Sequence, residues 1–104
     1  MRRTELIQRI AETMHRVDPD AHTILYGSEA RGEARPDSDI DLLILLDGDK
    51  ITLAREQAIT EQLYRIELDS GVAISPIVML KKQWENRPIK TPFYINVTNE
   101  GIRL

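Results

Sequence analysis

The chain has 104 residues, with 14 Lys and Arg against 17 Asp and Glu, two His and no Cys, for a net charge of −3. That length supports a single domain, 1–104, burying roughly 60–65% of the surface its unfolded chain exposes. The absence of cysteine excludes disulfides, thiol chemistry and thiolate zinc sites, and the slightly acidic balance gives no electrostatic case for a dedicated nucleic-acid binder.

The start, MRRTELIQRIAET, is basic but has no unbroken apolar stretch. No segment approaches the roughly 20 apolar residues of a membrane span, so the expected setting is soluble and cytoplasmic, with no membrane partner. Over residues 4–17, Leu6, Ile7, Ile10 and Met14 fall at helical spacing behind Thr4 as a cap. Val17-Asp18-Pro19-Asp20 breaks this helix, because Pro has no amide donor and biases its predecessor away from helical geometry. A first strand is predicted over 22–26 and a short helix over 29–33, limited by Gly32 and Pro36. A second strand follows over 39–46. Its continuous Leu/Ile run after the carboxylates predicts burial on both faces, as in a central strand.

Asp47-Gly48-Asp49 signals a turn, and residues 52–69 read as the longest helix, closed by Asp69-Ser70-Gly71. The run from Val72 to Leu80 is β-rich but contains Pro76, which removes a ladder donor and points to an edge strand or a bulge. Thr91-Pro92 fits a cap and first helical residue, and Gly101 a helix stop. This order predicts a small α/β (α+β) domain in which helices pack on a mixed sheet.

The chemistry concentrates in ILYGSEARGEARPDSDIDLLILL. Gly27 permits a left-handed backbone or the close approach of a phosphate, and Ser28 offers a hydroxyl and an amide, so the pair forms a candidate anion cradle. Ten residues separate Ser28 from Asp39, and Asp39 and Asp41 alternate with Ile40. In a strand that spacing places both carboxylates on one face, roughly 6–7 Å apart. Such hard oxygen ligands suit Mg²⁺, leaving positions for water and phosphate oxygens. Two carboxylates in a Leu/Ile-rich strand are also costly to desolvate unless they are paired or bind metal.

Gly-Ser, ten residues and Asp-x-Asp resemble the signature of the DNA polymerase beta-like nucleotidyltransferases. GSEARGEARPDSDIDLLI is similar to the minimal nucleotidyltransferase branch, and the resemblance extends from the first helix to the PFY…EGI tail. It implies the polymerase beta-like fold, with ATP or another nucleoside triphosphate bound through Gly27 and Ser28, and Mg²⁺, or alternatively Mn²⁺, on Asp39 and Asp41. Transfer of a nucleotidyl group to a hydroxyl of a protein or small molecule follows from the same resemblance. Some members of that branch are antitoxins that pair with HEPN-domain toxins and transfer AMP to a tyrosine. A HEPN-type partner is therefore implied, as are catalytic roles for Asp39 and Asp41.

Two departures from the pattern stand out. The family's third carboxylate falls on the strand after the long helix, but residues 70–84 contain no Asp or Glu. Ala73 or Ser75 takes that place, and neither accepts a proton at neutral pH, which predicts impaired turnover or a binding role alone. Glu67 and Asp69, near that strand, are candidate substitutes. Glu29, directly after Gly27-Ser28, weakens the cradle if it points inward.

Arg31 reads equally as a phosphate contact or a solvated loop residue, whereas Arg35 favours solvent. Ser38 suits turn or strand-entry bonding. Asp37, Asp47 and Asp49 lack the spacing of a calcium loop, and His15 and His22 lack that of a metal pair. Trp84, Phe93 and Tyr94 form either a base-stacking platform or, more in keeping with their position, core packing. An oligomer is compatible with all of this.

Overall fold

In the computed structural model, which describes residues 2–104, the helices are α1 (Arg3–Val17), α2 (Leu53–Ser70), α3 (Lys81–Glu85) and α4 (Pro92–Glu100). The strands β1 (His22–Tyr26), β2 (Ile40–Leu46), β3 (Ile74–Leu80) and β4 (Ile102–Arg103) form one sheet in the order β3-β2-β1-β4. β1 runs antiparallel to both β2 and β4, while β2 and β3 are parallel, so the sheet is mixed.

The apolar pattern explains the layers. Leu6, Ile10 and Met14 of α1 and Ile59, Leu63 and Ile66 of α2 are buried on one face of the sheet, against Ile40, Leu42, Ile44 and Leu46. The alternate residues Leu43 and Leu45 face the other way, into a smaller cluster with Trp84 of α3 and Val97 of α4. β2 is thus covered on both faces, which accounts for its unbroken Leu/Ile run.

Thr4 is not the cap expected of it: α1 already begins at Arg3, with Arg2 before it and no side-chain cap bond, so Thr4 lies inside the first turn. The starts of α2 and α4 are capped by side chains. Thr52 Oγ1 accepts from Arg55 N at 3.2 Å and Thr91 Oγ1 accepts from Tyr94 N at 3.2 Å, each satisfying a first-turn amide. Gly71, with φ +73°, ends α2 in the left-handed conformation that favours glycine.

β3 lies at the sheet edge as Pro76 predicts, since an edge leaves one row of backbone groups unpaired and a missing N–H is tolerated there.

The structure departs from the sequence reading in three further places. Residues 29–33 form turns rather than a short helix. Gly27 and Gly32 bracket the segment with φ of +77° and +73°, and the bonds Arg31 N to Gly27 O, Gly32 N to Glu29 O and Glu33 N to Ser28 O close it before a ladder develops. The helix α3 directly after β3 had no separate sequence signal. Beyond the Gly101 stop the chain forms β4, pairing Ile102 with Leu25 and Arg103 with Ile24.

One polar tie joins the layers. Arg55 Nε and Nη2 donate to Asp18 Oδ2 and Oδ1 at 2.6 and 3.0 Å, and Nη1 donates to Asp47 O at 2.9 Å. This fastens the end of α1 to the start of α2 and the exit of β2. With Arg55 29% and Asp18 11% exposed at the side chain, the pair is only partly shielded, so Asp18→Ala should destabilise by about 1–2 kcal/mol, below the range for a fully buried pair. Thermal unfolding followed by circular dichroism should show a midpoint lowered by roughly 4–12 °C. An unchanged midpoint would assign the pair no role in stability.

Candidate functional site

The glycine turn and the carboxylate strand meet because β1 and β2 are antiparallel, with Tyr26, the last residue of β1, opposite Asp41. Gly27 follows at once in the left-handed conformation, and a Cβ placed on it would run into Asp41 Oδ2. The backbone angle therefore favours glycine, and a larger residue would also have to push the Asp41 carboxylate aside. Asp39 stands exposed just before β2 and Asp41 is half-buried at its second position. The strand entry is fixed by Ile40 N donating to Ala73 O at 2.9 Å.

Asp41 has its carboxyl pKa raised above the ordinary value, first by burial and then by the negative charge of Asp39, with Arg31 opposing. The Tyr26 phenol is likewise pushed up by burial and by Asp41. Two unneutralised carboxylates held close, neither in an ion pair among the described residues, make a donor set that fits a hard divalent cation. No group of three His, Cys, Asp or Glu converges among the described residues; Asp39 and Asp41 are a pair that could hold such an ion.

The predicted site residues do not all share one environment. Gly27, Asp41 and Asp39 come together, with Ser28 next in the turn, its carbonyl accepting from Glu33 N at 2.9 Å. Arg31 instead faces carboxylates: Nε donates to Glu33 at 3.1 Å and Nη1 to both oxygens of Glu100 at 3.2 Å. Glu29 is directed toward Arg3 of α1 at 3.1 Å, and the same guanidinium donates to Ser38 O at 2.9 Å, stapling both sides of the loop.

β3 places Ser75 in register beside Asp41, making it the position nearest a third carboxylate. The two substitutes considered for that group are engaged elsewhere. Glu67 Oε1 accepts from Ile74 N at 2.8 Å, and Asp69 pairs with Arg9 at 2.8 Å.

Trp84, Phe93 and Tyr94 are packing residues of the α3/α4 layer, with Trp84 4.7 Å from Tyr94 and 5.8 Å from Phe93 between centroids. No local pattern points to Glu100, whose Oε1 also accepts from Gly27 N at 3.2 Å. That contact spans 73 residues and rests on the unpredicted C-terminal strand. Arg3 was equally hidden, since its partners lie 26 and 35 residues away.

A mixed-sheet α/β domain whose glycine turn abuts a strand bearing paired carboxylates is the framework of a nucleotidyltransferase. The chain belongs to the nucleotidyltransferase domain family, which it matches over residues 7–103. It is 38% identical over 81 residues, 78% of its length and 75% of the relative's, to a Methanocaldococcus jannaschii protein provisionally named a protein adenylyltransferase. Solved structures share the fold. One, from Sulfolobus solfataricus and provisionally assigned as a nucleotidyltransferase, aligns with a TM-score of 0.59 and 18% identity over 95% of this chain and 76% of that one. A toxin–antitoxin structure with AMP-PNP aligns with a TM-score of 0.62 and 16% identity, covering 92% and 69%.

The raised Asp41 pKa has a consequence for stability. A carboxyl raised on folding contributes stability that is present below its ordinary pKa and lost as pH rises through the raised one. Without divalent metal at pH 7, Asp41→Asn should therefore melt higher than wild type, by about 2–4 °C, and the gap should close near pH 4. Calorimetry in chelator at the two pH values checks this. A variant that melts lower at pH 7 would show that Asp41 is not strained by its charge.

Proposed function

We propose that this domain binds a nucleoside triphosphate, with ATP as donor, together with Mg²⁺, and transfers the nucleotidyl group to a hydroxyl on a protein. The observation that carries this reading is the apposition of Gly27 and Asp41, which makes the anion cradle and the carboxylate pair one site. The name of the Methanocaldococcus relative supports AMP transfer to protein. Mg²⁺ on Asp39 and Asp41 would supply charge neutralisation for the phosphates.

The chain's own residues then do the holding and aligning. Gly27 and Ser28 offer backbone amides and a hydroxyl to phosphate oxygens, at a turn whose left-handed backbone favours glycine. As the acceptor oxygen bonds to the α-phosphorus, the bond to the bridging oxygen breaks and pyrophosphate leaves. Ser75 cannot take the acceptor's proton at neutral pH, so in this reading the proton passes to solvent. Omitting a positioned base typically slows such a step by about 10²–10⁴.

That same position supports a second reading. With Ser75 beside Asp41 in place of a carboxylate, and with a toxin–antitoxin structure sharing the fold, the chain would act as an antitoxin that neutralises a HEPN-type partner by contact.

Incubation of the chain with labelled ATP, Mg²⁺ and a HEPN-type protein separates the two. Transfer by wild type and its loss in Asp39→Asn/Asp41→Asn is expected for the enzyme. Equal neutralisation of the partner by both proteins, without label, would leave binding alone. In the enzyme reading Ser75→Asp should raise the transfer rate about 10–10²-fold. No gain, in a variant that still folds and binds nucleotide, would remove the missing carboxylate as the cause of slow turnover.

A further inference from the structure

Glu100 lies where a nucleotide-binding turn would be expected to present a free donor. Its Oε1 accepts from Gly27 N at 3.2 Å, and both its oxygens accept from Arg31 Nη1 at 3.2 Å. The remaining Arg31 contact, Nε to Glu33 at 3.1 Å, ties the guanidinium to a second carboxylate. One carboxylate thus occupies the amide at the head of the cradle and holds its nearest cation.

We propose that Glu100 is a built-in competitor for the phosphate cradle, a carboxylate that a triphosphate must displace from the Gly27 amide and Arg31 before it is held there. The inference rests on the nucleotide reading of the cradle given above.

The arrangement is anchored rather than incidental. Glu100 is the last residue of α4, and its side chain is only 22% exposed. A Cβ at the next residue, Gly101, would come within 2.5 Å of Val97 O and 2.7 Å of Ile24 Cγ2, so the end of α4 sits hard against β1. β4 follows directly and pairs with β1. The helix end, the tight glycine and the short strand together deliver the carboxylate to the turn that closes β1.

Electrostatics supply the competition. The Gly27 N–H serves one strong acceptor, and a phosphate brought to it meets the charge of Glu100 at close range. Both anions cannot share the donor, so binding requires the Glu100 side chain to rotate away, which frees Arg31. A metal-bound triphosphate, with many contacts, overcomes this contest, whereas a monophosphate has little with which to do so. Glu100 therefore sets a threshold that lowers the apparent affinity of any phosphate that takes the Gly27 amide, because only the displaced population is competent to bind.

Glu100→Gln tests the inference, since the amide oxygen can still accept from Gly27 N while the charge is lost. Titration calorimetry with ATP and Mg²⁺ should show ATP binding about fivefold to tenfold tighter in the variant. Wild-type binding should vanish in Asp39→Asn/Asp41→Asn. If wild type binds ATP and Glu100→Gln binds it equally or more weakly, the competitor role is overturned while the cradle stands. If neither binds, both readings fall; binding by the variant alone supports the inference. A readout on the wild-type protein guards against a misfolded variant. In an NMR titration with ATP and Mg²⁺, the Gly27 amide and Arg31 Nη1–H resonances should shift together, and a Gly27 shift with Arg31 Nη1–H unmoved would overturn the displacement.

Discussion

The organising constraint is the burial of β2 from both sides. Packed between α1 and α2 on one face and α3 and α4 on the other, the strand has six of its seven residues sealed, and Asp41 alone keeps partial contact with water. A charge is affordable on this strand only at its beginning. The antiparallel partner must therefore finish at that same end, and β1 does so at Tyr26, opposite Asp41. From there Gly27 turns the chain with a left-handed backbone, and its missing side chain leaves room for the Asp41 carboxylate beside it.

Much of this was legible in the sequence because its signals are local. The spacing of Leu6, Ile10 and Met14, the cap Thr91, the stop at Gly71 and the edge placement implied by Pro76 each depend on neighbours within a few residues. Gly27 and the Asp39/Asp41 pair were recognisable for the same reason. The misses were of another kind. Residues 29–33 have helix-compatible composition, but positive φ at both bounding glycines overrides it. β4 is two residues long and exists because β1 offers it an edge, a condition no local pattern encodes. The partnerships of Arg3 and Glu100 depend on tertiary placement and have no signature in spacing.

The site also holds features that work against stability. Asp41 is partly desolvated beside Asp39, and Gly27 surrenders chain entropy to take a left-handed turn. Their counterweights lie outside the site. Arg3 binds Glu29 and the carbonyl of Ser38, so the long loop between β1 and β2 is gathered from the α1 side. The Asp18–Arg55 pair secures the opposite end of the same layer. A chain with a more stable strand entry would lack the concentrated negative charge that gives this end of the sheet its chemical character.

The aromatic layer beneath the carboxylates has an optical consequence. Trp84 is the single tryptophan of the chain, buried beneath α4, with its ring edge-on to Phe93. Phe93 in turn meets Tyr26 edge-on at 5.3 Å, and Tyr26 is the cross-strand neighbour of Asp41. Three rings in series thus connect the charged end of β2 to one intrinsic fluorophore. Emission from Trp84 is consequently a label-free reporter on the aromatic layer that leads to Tyr26, requiring neither an added dye nor a change to any residue that faces the carboxylates.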